Sequence, residues 1–120
     1  MTFSNCPEAV SMLIHNTAVD VNKRDMDGST PLAVAAEMNY NHIVRILLSN
    51  GRTDANLGDV FANTPLHKAV RRGNASLVRM LMENNGVDRT PINRGGMSPL
   101  MLARSCGRQA VADLIEEYMF

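Results

Sequence analysis

Three short phrases recur at a fixed interval. Thr30-Pro31-Leu32, Thr64-Pro65-Leu66 and Ser98-Pro99-Leu100 are separated by 34 residues and again by 34. The register extends well past the triplets. Val44, Val78 and Ala112 fall in line, as do Leu47, Leu81 and Ile115. So do Asp20, Asp54 and Asp88, and Asp25, Asp59 and Asn93. A period of this size marks stacked supersecondary units, each too small to bury its own apolar face.

Within a unit the order of residue types predicts two helices and a loop. A hydroxyl residue before Pro starts the first helix: its oxygen can accept from a free N–H, and Pro fits the first turn. Leu32, Ala35 and Ala36, then Leu66, Ala69 and Val70, lie on one face at helical spacing. The alanines let a neighbouring helix approach closely. Gly73 and Gly107 are expected to end first helices in the left-handed conformation, with Asn39 taking the same place. A second helix follows. Its buried stripe is Ile43, Val44, Leu47 and Leu48 in one copy and Leu77, Val78, Leu81 and Met82 in the next. Met82 stands where Leu48 stands, so it is read as core filling rather than as a soft binding surface. Gly51, and Gly86 beside Asn85, are expected to close the second helices. The remaining dozen or so residues of each unit are rich in Asp, Asn and Gly and suit an extended loop with a tight turn.

The stretches "GSTPLAVAAEMNYNHIVRILLSNG" and "NTPLHKAVRRGNASLVRMLMENNG" resemble ankyrin repeats. Pro31, Pro65 and Pro99 match the family opening, and so does His67; Val21-Asn22 and Asp25-x-x-Gly28 match its β-turn finger. The resemblance spans essentially residues 8–120. One departure is consistent: the interval is 34 residues here against about 33 in the family, with the extra residue placed in the loop after the second helix. Tetratricopeptide repeats share the longer period, but a Pro opening the first helix and an Asp/Gly finger do not fit them. The expected fold is an all-α ankyrin-repeat solenoid of helix-turn-helix units with β-turn fingers, forming a single domain over 1–120. Its expected parts are a partial N-terminal repeat at 1–25, repeats at 26–59 and 60–93, and a C-terminal capping repeat at 94–120. In the partial unit "PEAVSMLI" is read as the second helix, opened by Pro7. In the last unit Glu116 and Glu117 replace aliphatic residues, as a polar cap would require.

The composition narrows the function by exclusion. Twelve Lys and Arg balance twelve Asp and Glu, so no global field draws the chain to nucleic acid or membrane. The two halves differ: residues 1–60 hold four basic against seven acidic groups (−3), and residues 61–120 hold eight against five (+3). Trp is absent and aromatic residues make up 4%, so the core must be aliphatic, methionine and alanine. "MTFSNCPEAV" has neither the basic nor the apolar region of a signal peptide, and no apolar run is long enough for a membrane span. A cytoplasmic or nuclear location is expected, with Cys6 and Cys106 as thiols. His15, His42 and His67 do not cluster, and His67 matches the family histidine whose ring bonds neighbouring loop backbone. Gly95-Gly96 is a finger turn rather than a phosphate loop, and no metal-ligand spacing occurs. No enzyme activity, cofactor, metal or small-molecule substrate is expected. The Asn74-Ala-Ser sequon is read as coincidence. Asn22 and Asn56 lie where the family can be hydroxylated on Asn, and are read more simply as satisfying loop backbone.

The resemblance implies a non-catalytic protein–protein interaction module, a scaffold, adaptor or inhibitor, that binds through a concave surface of finger tips and first helices. An alternative is a substrate-recruiting part of a larger protein. Mapped onto this chain, the finger tips are Met26, Asp27 and Ser29, then Val60, Phe61 and Asn63, then Arg94, Gly95 and Met97. The exposed first-helix ends are Glu37 and Met38, Arg71 and Arg72, Arg104 and Ser105. Turn tips are ordinarily polar, yet Met26, Val60, Phe61 and Met97 are apolar. An aromatic near arginines has the composition of an interface centre. Either Phe61 serves that role or it folds back onto the next finger. The expected partner of this monomer is a protein with an acidic segment and an apolar anchor. Reading of RNA is disfavoured, because Glu37-Met38, Arg71-Arg72 and Arg104-Ser105 form no repeated code.

Overall fold

A computed structural model describes residues 20–119 and shows, within them, six helices and no strand. They are α1 (Pro31–Glu37), α2 (Asn41–Ser49), α3 (Pro65–Arg72), α4 (Ala75–Glu83), α5 (Pro99–Ser105) and α6 (Gln109–Met119). Cys6, His15 and the helix expected in "PEAVSMLI" lie outside the described residues.

Each first helix starts as its opening triplet requires. Thr30 Oγ1 accepts from the Ala33 N–H at 3.2 Å, and Ser98 Oγ accepts from Met101 at 3.3 Å. In α3 the cap is reciprocal. The His67 N–H points to Thr64 Oγ1 at 3.5 Å, and the Thr64 N–H donates to His67 Nδ1 at 3.1 Å. Histidine thus takes the part that Glu or Gln plays in a capping box. The first helices end in the left-handed conformation at Asn39 (φ 62°), Gly73 (φ 71°) and Gly107 (φ 71°). That reversal points the next N–H back into the helix: Tyr40 donates to Ala35 O at 2.9 Å and Arg108 to Ala103 O at 2.8 Å. At Gly73 an added Cβ would be strained by the left-handed backbone and would press on the Arg108 side chain, whose Cδ would lie 3.0 Å away.

The second helices end differently from the sequence expectation. Their terminal residues Asn50 and Asn84 are extended, and Gly51 and Gly86 are not left-handed. The asparagine side chains make the turn instead: Asn50 Oδ1 accepts from Arg52 at 2.8 Å and Asn84 Oδ1 from Gly86 at 2.9 Å. No left-handed residue is then needed.

The helices stack as two layers. First helices pack in the order α1, α3, α5, and second helices in the order α2, α4, α6, each hairpin also closing on itself. One apolar cluster runs through the stack from Val21 to Ile115. Ala35, Ala36, Ala69 and Ala103 are fully buried between first helices, where only a methyl group allows close approach. Leu47, Leu81 and Ile115 fill the space between layers, and Met82 is fully buried with them. The body measures 39 × 25 × 22 Å.

The loops are clamped across the 34-residue offset as well. Asn22 Nδ2 donates to Arg52 O at 2.8 Å, while its Oδ1 accepts from Asp54 at 2.8 Å. One unit later Asn56 repeats both bonds, to Gly86 O at 2.9 Å and from Asp88 at 2.7 Å. These amides tie each loop to its successor. Asn74, the sequon residue, is also engaged: its Oδ1 caps α4 at Leu77 (3.1 Å) and its Nδ2 donates to Asn41 (2.9 Å).

Candidate protein-binding surface

The three fingers precede the three first helices and share one construction. Asp25 Oδ1 accepts from the N–H groups of Asp27 and Ser29, both at 2.9 Å. Asp59 Oδ1 accepts from Phe61 at 2.9 Å and Asn63 at 3.0 Å, and Asn93 Oδ1 from Met97 at 3.0 Å. Each tip closes through one left-handed residue, at Gly28 (φ 77°), Ala62 (φ 62°) and Gly96 (φ 76°). Ala62 pays a steric cost there that glycine avoids.

Successive fingers are joined by backbone. The Val60 N–H donates to Asp27 O at 3.1 Å, and the Arg94 N–H donates to Phe61 O at 2.9 Å. Asn93 Nδ2 adds a bond to Asn63 Oδ1 at 2.9 Å, and His67 Nε2 donates to Met97 O at 3.0 Å. With Nδ1 accepting and Nε2 donating, His67 is a neutral ring in one fixed tautomer. Burial pushes its pKa below the ordinary 6.5, and the bonds to Met97 and Pro91 and the nearby Asp59 only partly oppose that. His67 is therefore a bracket between α3 and the following finger.

Backbone anchoring leaves the apolar tips facing solvent. Met26 is fully exposed, Phe61 is 64% exposed and Val60 49%. Phe61 does not fold away against the next finger; its carbonyl is held while its ring stands out. Met38, at the end of α1, is also exposed, and Asp27 presents its carboxylate beside Met26. Asn63 and Met97 are half-buried and contribute mainly the bonds that hold the row.

Charge on the first-helix layer is more neutralised than the sequence suggests. Arg71 Nη2 meets Glu37 Oε1 at 2.9 Å across the α1–α3 boundary. Lys68 Nζ lies 2.8 Å from Asp59 Oδ2 and 3.7 Å from Glu37 Oε2, with the Lys68 and Asp59 side chains almost wholly buried. Burial alone would raise the Asp59 carboxyl, but the hydrogen bonds from Lys68 and from the N–H groups of Asn63 and Phe61 prevail and hold it below its ordinary value. Glu37 and Arg71 therefore reach a partner as a pair of nearly zero net charge. Arg72 and Arg94 are exposed and belong to no ion pair among the described residues.

Arg104 is placed apart from the other candidates. Its 34-residue counterparts are Val70 and Ala36, both fully buried, whereas Arg71 corresponds to Ser105. The Arg104 guanidinium pairs with Glu116 of α6, whose own counterpart is the buried Met82. The two charges sit, in the last described unit, where the unit before it has core. Sequence reading overlooked Lys68 and Ile92. Lys68 occupies the position of Val34 and Leu102, so a charge amid apolar counterparts was the available signal. Ile92, at the base of the last finger, is exposed.

No helix among the described residues is long and apolar enough to cross a membrane. No curated protein sequence matches the chain. The family model described as ankyrin repeats in three copies matches residues 1–59 and again residues 51–119. Ankyrin repeats are in general protein–protein interaction modules and typically non-catalytic. With capped hairpins, left-handed first-helix ends and ladder-linked fingers all recurring at one offset, the chain belongs to the ankyrin-repeat family.

Proposed function

We propose that this chain is a non-catalytic scaffold, adaptor or inhibitor that holds a partner protein across its finger row and the exposed ends of α1 and α3. The observation that carries this is the row Met26, Val60 and Phe61. Large apolar side chains stand in solvent there on backbone that is hydrogen-bonded finger to finger. Exposed apolar groups on a fixed frame suit recognition, because little ordering entropy is lost when the partner arrives.

The charge pattern refines the partner. Glu37 and Arg71 satisfy each other, and Lys68 is committed to Asp59 and Glu37. Among the described residues Arg72, at the end of α3, and Arg94, whose N–H holds the Phe61 carbonyl, enter no ion pair. The favoured partner therefore offers an apolar side chain to Phe61 with one or two carboxylates next to it, rather than a long acidic tract. The protein acts as a monomer inside the cell, in cytoplasm or nucleus.

Affinity capture with the whole chain, compared with a Phe61→Ala/Arg72→Ala variant, tests the proposal. At least one captured protein should be lost with the double variant while the melting temperature stays unchanged. An identical set of captured proteins would overturn it.

A further inference from the structure

The second-helix layer carries a feature that the finger row does not explain. The 34-residue register places Arg45 of α2, Arg79 of α4 and Asp113 of α6 at equivalent positions. Two like charges therefore border the α2–α4 boundary, while an Arg and an Asp border the α4–α6 boundary. The second boundary is also plugged. Tyr118 sits under the Arg89 guanidinium at 5.7 Å, and Arg89 Nη2 donates to Met82 O at 2.7 Å. At the first boundary the counterpart of Tyr118 is Asn84 and the counterpart of Arg89 is Ala55, so nothing equivalent fills it. Accordingly α2 touches α4 much less than α4 touches α6.

What remains is a groove of about 500 Å³, open to solvent, between α2 and α4. Half-buried Leu48 and Met80 supply its apolar surface, and exposed Arg45 and Arg79 supply its charge. Neither guanidinium has an ion-pair or hydrogen-bond partner among the described residues. Glu83 and Asn84 mark the end of the groove toward the C-termini of the two helices.

We propose that this groove is a second docking site, for a short acidic segment of a partner protein carrying one apolar side chain. A guanidinium offers a planar fork of donors that matches a carboxylate in two-point contact. Two such forks beside an apolar strip accept a segment with acidic residues around a central aliphatic one. Glu83 repels carboxylates from its own end, so the acidic residues of the segment engage the Arg45 and Arg79 end of the groove. The site shares no residue with the finger row, so both can be occupied at once and the chain can join two partners.

The test is a titration of the isotope-labelled full chain with a capped peptide of sequence EELEE, followed by amide resonances, with KKLKK as control. Saturable shifts should centre on Arg45, Leu48, Arg79 and Met80, and weaken as salt is raised. Arg45→Glu/Arg79→Glu should lower affinity at least tenfold, the milder Arg45→Gln/Arg79→Gln less, and Phe61→Ala should leave it within twofold. Both charged sites are exposed, so an unchanged melting temperature verifies that these variants fold. No saturable shift, equal binding of KKLKK, shifts confined to the fingers, or occupation of the groove by a second copy of the chain would each overturn the proposal.

Discussion

The hairpins α3–α4 and α5–α6 are the same design carried out twice, 34 residues apart, with different surroundings. In the inner hairpin His67, Val70 and Met82 are buried. In the outer one their counterparts Met101, Arg104 and Glu116 face outward, and the two charged residues pair with each other. The start and stop signals of the first helix do not change between the copies. Both first helices open with a hydroxyl cap and Pro, and both end in a left-handed glycine. The chain path is thus set locally, within each unit. Side-chain character at the inter-unit positions, by contrast, follows what each unit packs against among the described residues, as expected for a quasi-one-dimensional stack.

The sharpest way to break this comparison is at its most unequal pair. Met82→Ala removes a fully buried side chain and should cost about 3 kcal/mol, whereas Glu116→Ala should stay within about 0.5 kcal/mol. Urea unfolding of both variants measures the difference; equal losses would mean that the two positions are not the inner and outer versions of one site.

A smaller difference is expected at the caps. His67→Ala removes the reciprocal bond to Thr64 and the bond to Met97, and should cost about 2 kcal/mol, against less than about 0.5 kcal/mol for Met101→Ala. The pH dependence separates the two further. The folded state holds His67 neutral below its ordinary 6.5, so the unfolded chain takes up the proton first. The stabilisation from neutral His67 should be fully present above about 6.5 and fall as pH drops from there toward the folded-state value. Melting curves between neutral and mildly acidic pH should show this slope in the wild type and in Met101→Ala, and a flatter one in His67→Ala.

The smallest effect belongs to the finger tips. Ala62 adopts the left-handed conformation that Gly28 and Gly96 occupy in the flanking fingers. Ala62→Gly should stabilise by about 0.5 to 1 kcal/mol, relief of steric strain outweighing the greater freedom of glycine in the unfolded chain. A melting temperature that falls instead would show that the Ala62 methyl group packs usefully.

Much of this arrangement was legible in the residues because it depends on local chemistry. A hydroxyl before Pro, a Gly or Asn after a short helix, and Asp25, Asp59 and Asn93 at finger starts each act within a few residues of their own position. The ends of the second helices were misjudged for an equally local reason. Gly51 and Gly86 drew attention, but Asn50 and Asn84, also 34 apart, close those turns through their side chains. Placement on the surface was harder. Arg104 sits next to Ser105, the counterpart of Arg71, and a one-residue step on a helix turns a side chain by about 100°. The contacts of Glu37 with Arg71 and Lys68 join different units, and only the stacking of α1 on α3 brings those charges together.

Methionine methyl groups report most directly on whether the finger row is the binding surface. Met26, Met38 and Met97 lie on the finger and first-helix side, Met80 and Met119 on second helices, and Met82 in the core. Spectra of the methyl-labelled chain should be recorded with a protein whose capture requires Phe61 and Arg72. The account predicts shifts at Met26, Met38 and Met97, with Met80, Met82 and Met119 unmoved. Movement of Met80 and Met119 while Met26 and Met97 stay in place would contradict it.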